Sequence, residues 1–174
     1  MKKLWKLMIL TGLMLAIGLA INTVTAQKVS ANSYTTAKSI RGNWYSWNTY
    51  VNAYSVIKVK KHSVVTYNQS TRGSISYYRV YTPHMTGSRK LSISIYKHAK
   101  KGSNNVYDLN RGYRLPAYKR IGFVWSSHKA LYGHKYHVLK NYLLGGVFFV
   151  YFHHKIKHDY GYTHMKHWEY FLGR

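Results

Sequence analysis

Short stretches in which apolar and polar residues alternate, separated by turn-forming residues, run through this chain from Ile40 onward. A period of two places successive side chains on opposite faces of an extended strand and does not match the 3.6-residue period of an amphipathic helix. In Ser55-Val56-Ile57-Lys58-Val59-Lys60, Ile57 and Val59 alternate with Lys58 and Lys60; Leu91-Ser92-Ile93-Ser94-Ile95 is the most regular case. Helix formers are scarce: Glu169 is the one glutamate among 174 residues, whereas Tyr occurs 19 times. Val, Ile, Thr and the aromatics suit the pleated, half-buried surface of a sheet.

The spacing predicts strands over 41–47, 55–60, 63–67, 74–82 and 91–95, with weaker ones at 106–109 and 119–125. Two more, 136–144 and 147–153, flank Gly145-Gly146, which reads as a two-residue hairpin turn. A turn is expected over 68–73, and Ile75, Tyr77 and Tyr81 are expected to share a face. The stretch 158–172 fits a last strand or a short helix. About eight strands, some apolar on both faces as in Val147 to Phe152, specify an all-β fold, a small antiparallel up-and-down barrel. The bulk of the aromatics predicts an interior filled by its own side chains. One domain, 40–174, is expected, with no internal repeat.

Upstream of the β pattern the chain reads as an export signal over 1–26 followed by a flexible leader over 27–39. Lys2, Lys3 and Lys6 precede an apolar run of 15 residues, Leu7 to Ile21, and small-residue cleavage sites follow at Ala26 and Ala31. That run is shorter than the roughly 20 residues a membrane-spanning helix needs. Cleavage after Ala26 removes three lysines and no acid, taking the net charge from +24 to +21. The later run Leu143 to Phe152 is short and broken by glycine, so it reads as turn plus strand. The product is therefore expected to be secreted, or held at a cell surface by charge. The absence of cysteine excludes disulfides, a thiolate nucleophile and Cys-based zinc sites. An exported chain that relies on packing instead of disulfides suits a Gram-positive bacterium.

Charge is the strongest functional signal. Twenty-seven Lys and Arg face three acids, Asp108, Asp159 and Glu169. A field so one-sided attracts polyanions, and solubility alone needs a net charge of only about 2–8. The candidate anion-binding residues are Lys58, Lys60, Lys61, Lys97, Lys100, Lys101, Arg111, Arg114, Lys119 and Arg120. The expected partners are anionic cell-wall polymers or a membrane surface, with non-specific nucleic acid as a lesser possibility, and the chain is expected to be a monomer. The eleven histidines would add positive charge as the medium acidifies, so binding to an anionic envelope is expected to tighten in acid. His134 and His137, three apart on a strand, point to opposite faces and do not form a metal pair.

No Gly-x-Ser-x-Gly, His-Glu-x-x-His or phosphate-binding glycine loop is present. No catalytic residue, metal site or cofactor is assigned, and the chain is read as a binding protein rather than an enzyme.

Arg41-Gly42-Asn43-Trp44-Tyr45, placed where the β pattern begins, resembles the Gly-x-Trp signature that starts the first strand of lipocalins and related calycin barrels. The resemblance covers Gly42 and Trp44. It implies a closed barrel with the tryptophan closing one end, and a carrier of a small apolar ligand as the alternative function. Trp44, Trp47 and Trp125 are the candidate ligand-lining residues. The lysine-rich signal and the Tyr/His/Lys-rich body are similar to small secreted proteins of lactic-acid bacteria. A cationic antimicrobial action is a further alternative, although no strong amphipathic helix is evident.

Overall fold

Ten antiparallel strands follow one another in a meander. In this computed structural model, residues 34–96, 104–111, 114–116 and 119–174 are described, all within one unit, Asn32–Arg174. The strands are β1 (Gly42–Asn48), β2 (Ala53–Lys60), β3 (Ser63–Ser70), β4 (Ile75–Tyr81), β5 (Ser94–Ile95), β6 (Tyr107–Asp108), β7 (Phe123–Leu131), β8 (His134–Tyr142), β9 (Val147–Phe152) and β10 (Tyr162–Thr163). Their order across the sheet is β4-β3-β2-β1-β9-β8-β7-β6-β5, with β10 also pairing β9. Each neighbouring pair on this path is consecutive in sequence except β1 and β9, which join the two ends of the meander through Tyr45 and Phe152. The right-handed twist of such a sheet makes it curl, and the result is an up-and-down half-barrel.

The curl is less than the expected closed barrel. β4 and β5 lie at the two ends of the path, and no ladder joins them among the described residues. The gap is crossed by one isolated bridge, Thr82 to Lys90, with the Leu91 amide donating to the Thr82 carbonyl. The regular stretch 91–95 supplies only the two-residue β5. Leu91 and Ile93 are buried as the alternation requires, but a ladder also needs a partner in register, and residues 107–110 provide few pairings.

Register decides three other departures. β3 runs on to Ser70, so the turn lies over 71–74 rather than 68–73. In β4 a bulge sets Tyr77 and Tyr78 against Tyr67, and Tyr77 takes a left-handed φ of 53°. One extra residue reverses the alternation. Ile75 therefore faces the opposite side from Tyr81, which is buried, while Ile75 and Tyr77 are exposed. The link between β8 and β9 is four residues, 143–146, instead of two. Gly146, at φ 76°, admits the chain at His164: a Cβ there would lie 2.3 Å from the His164 carbonyl oxygen. The stretch 158–172 contains both expected forms, β10 and a 3-10 turn at Trp168–Phe171.

Two layers of core result. The concave face collects Ile40, Trp44, Ile57, Val59, Val64, Tyr81, Leu139 and Tyr151 with residues of the 91–124 region. The convex face of β7–β9 is covered by the C-terminal segment, which packs Tyr162, Trp168, Phe171 and Leu172 on Phe123, Trp125, Tyr142 and Phe148. A continuously apolar strand such as β9 is explained by this cover on both sides. The expected signal over 1–26, and the leader up to residue 33, lie outside the described residues. The last residues of the expected leader pack on the domain: Thr36 is buried, its hydroxyl donates to the Lys60 carbonyl at 2.8 Å, and Arg41 donates to the Thr36 carbonyl at 2.6 Å.

Candidate anion-binding face and concave cavity

The convex face of β1–β3 combines aromatic rings with lysines. Trp47, Tyr54, Val56 and Tyr67 form its apolar layer, with Tyr45 and Val65 packed beside them. Alternation puts these residues on one side, because Tyr45, Trp47, Tyr54 and Tyr67 occupy matching positions in the β1–β2–β3 register. The Lys58 ammonium lies 5.3 Å from the centre of the Tyr67 ring. After β9 the chain crosses back over this face. Lys155 sits 5.7 Å from the Tyr45 ring and 5.5 Å from the Tyr54 ring, and Lys157 sits 5.3 Å from the Trp47 ring. Ring faces hold ammonium groups by their quadrupole, at about 0.5–1 kcal/mol each at exposed sites. A hydrogen bond with Tyr67 holds Lys58 above the ordinary lysine range, so the charge is secure. Asp159, the acid in the same crossing segment, accepts the Gly161 amide at 2.8 Å.

The other cations expected to bind anions are distributed over several elements. Lys60 and Lys61 are exposed at the β2–β3 turn; Arg111, Arg114 and Lys119 are exposed on the connection between β6 and β7. Lys97, Lys100 and Lys101 lie outside the described residues. Arg120 is half-buried, donating to the carbonyls of Leu115 and Leu143. It lines a concave-side cavity of about 210 Å³. Lys155 and Lys157 are not among the cations that the sequence pattern singles out. The Lys-Ile-Lys run at 155–157 was visible, but only the return of the chain across β1 and β2 sets it over their aromatics.

The three tryptophans are not brought together. Trp44 belongs to the concave core, Trp47 to the convex layer of β1–β3, and Trp125 to the convex layer beneath the C-terminal segment. None of them lines the cavity. Trp125 donates its indole N–H to the Arg174 carbonyl at 2.9 Å, which fixes the chain end. Trp44 is fully buried and donates to the Ile40 carbonyl at 2.9 Å.

Histidines gather at the Trp44 end of the concave face. His153 stacks on Trp44, and a Cβ on Gly42 would approach its ring to 2.9 Å. Glycine at this position, with φ 139°, therefore makes room for the imidazole. His137 lies 3.4 Å from His153 between ring nitrogens, and its other nitrogen is 2.8 Å from the Ser126 hydroxyl. Partial burial, then the neighbouring imidazoles His153 and His128, lower the His137 pKa below its ordinary 6.5. Among the described residues, no group of three or more His, Asp or Glu side chains is placed to hold a metal ion.

No protein-family model, curated protein or solved structure matches the chain.

Proposed function

We propose that this protein is a non-enzymatic, secreted binding protein that attaches to anionic cell-envelope polymers through its cationic surface. The observation that carries this reading is the convex face of β1–β3, where Lys58, Lys155 and Lys157 stand over Tyr67, Tyr45, Tyr54 and Trp47. Ammonium groups held over these largely buried rings are positioned to contact phosphates. With 27 basic residues against three acids, internal pairing leaves most of the field unopposed.

A lipocalin-like origin for the half-barrel is part of the proposal. It is supported by Gly42 and Trp44 at the start of β1 and by the adjacency of the first and last long strands. The ring packed on Trp44 is that of His153. An apolar-ligand carrier is the weaker reading, because the cavity is lined by Arg79, Arg120, Asn68, Asn141, Ser55 and Thr66 as well as by Ile57 and Ile121.

The experiment is retention of the purified chain on wall polymer, anionic vesicles and DNA over a salt series. Retention on wall polymer that falls steeply with salt is expected, because each neutralised anion releases a counterion. Retention that salt does not weaken, or equal retention on a neutral polysaccharide, overturns the proposal.

A further inference from the structure

The concave cavity differs from the convex face in kind. It is a recess of about 210 Å³, room for about seven waters at ~30 Å³ each. Its lining includes two arginines, Arg79 and Arg120, and no acidic residue. Arg79 comes from β4, whereas Arg120 precedes β7, so the curl of the sheet brings the two charges to one recess from distant parts of the path. A recess with two basic residues and no acid in its lining favours an anion over a cation.

The floor is polar. In the β1–β2–β3 register Ser46, Ser55 and Asn68 form one row, and the Tyr45–Phe152 pairing sets Tyr151 next to Ser46 on the same face. The Ser55 hydroxyl donates to the Asn68 side-chain oxygen at 3.3 Å. Ser46 is 3% exposed, and its hydroxyl has no hydrogen-bond partner. It lies between Tyr151 and Ser55, both of which line the recess. Ser46 itself is not among the lining residues, so the polar groups a ligand meets on this side are those of Ser55, Thr66 and Asn68. Asn141, also in the lining, spends its amide N–H on the Ile121 carbonyl at 2.8 Å and so stiffens the wall.

We propose that this cavity binds a phosphate ester of a small polyol, its phosphate between Arg79 and Arg120 and its hydroxyls on the Ser55–Asn68 side. One guanidinium satisfies both oxygens of a carboxylate; a phosphate has enough oxygens for two. The volume fits a molecule of three or so carbons rather than a long chain. Such a unit occurs free in solution and as a repeat in an anionic polymer. The second source would connect this site to the adhesion proposed above, but the cavity does not depend on it.

The test is calorimetric titration of the purified full chain with glycerol phosphate, with a short glycerol-phosphate oligomer, and with glycerol and acetate as controls. Binding of the phosphate ester at millimolar ligand is expected, with glycerol and acetate at least tenfold weaker. Arg79→Gln is expected to weaken it by about tenfold or more, in line with the loss of a charge-assisted hydrogen bond. Thr66→Val, which removes a lining hydroxyl while keeping its shape, is expected to weaken it by a few-fold without lowering the melting temperature as a core defect would. Binding of the monomer assigns the free ester. Binding of the oligomer alone, lost in Arg79→Gln, assigns the polymer unit. Absence of phosphate-ester binding in the wild type, acetate binding as tightly, or wild-type affinity in both variants overturns the proposal. Lys155→Gln with Lys157→Gln separates the two sites: it is expected to reduce retention on wall polymer and leave the glycerol-phosphate affinity unchanged.

Discussion

The imidazole of His153 lies against the indole of Trp44, ring centroids 3.7 Å apart and planes inclined by 29°. This contact joins the first strand to the segment leaving β9, beside the single Tyr45–Phe152 pairing that connects the two ends of the meander. The half-barrel is thus held at its seam by aromatic packing more than by backbone ladder, and Trp44 is where that packing meets the concave core.

Trp44→Phe removes the indole N–H that serves the Ile40 carbonyl and leaves a void beside His153. A loss of about 1–3 kcal/mol is expected, seen as a lower urea midpoint with an unchanged denaturant slope.

The His137 pKa is lowered in the folded chain. Below the unfolded value of about 6.5 the unfolded chain takes up a proton that the folded chain resists. Stability is therefore fully present above that pH and falls as the pH drops towards the lowered folded value. Melting temperatures of wild type and His137→Gln, measured from about pH 7 to about pH 5, should show the wild type losing more. Parallel curves would refute the assignment.

Gly146→Ala places a methyl 2.3 Å from the His164 carbonyl oxygen and forces alanine to a φ of 76°. Both effects oppose the docking of β10 on β9, and a loss above about 1 kcal/mol is expected. Limited proteolysis should then cut within 155–170 before it cuts elsewhere.

Leu172 is fully buried against the Trp125 and Phe148 layer. Leu172→Ala is expected to cost about 2–4 kcal/mol and to raise the exposure of Trp125, read by a red shift of tryptophan emission.

Lys155→Gln with Lys157→Gln removes two cations from above Tyr45, Tyr54 and Trp47. The slope of log affinity against log salt for wall polymer should fall by about two, one for each lost contact. The same slope in both proteins would place polymer binding elsewhere.

The alternation of Ile57 and Val59 with Lys58 and Lys60, the aromatic run of 147–152 and the scarcity of glutamate determined the all-β meander, because side-chain period and strand propensity are local properties. The charge imbalance was equally legible, since composition is independent of folding. Three things required the tertiary structure. The bulge at Tyr77 reversed the faces of β4, because one added residue shifts pleat parity and nothing in the spacing of Ile75, Tyr77 and Tyr81 records it. The separation of Trp44, Trp47 and Trp125 into three packing layers depends on which face of the sheet each strand position meets. That Arg79 and Arg120 line one recess, and that Lys157 stands over Trp47, relates residues distant along the chain, and only the curl of the sheet and the return of the chain after β9 decide such neighbours.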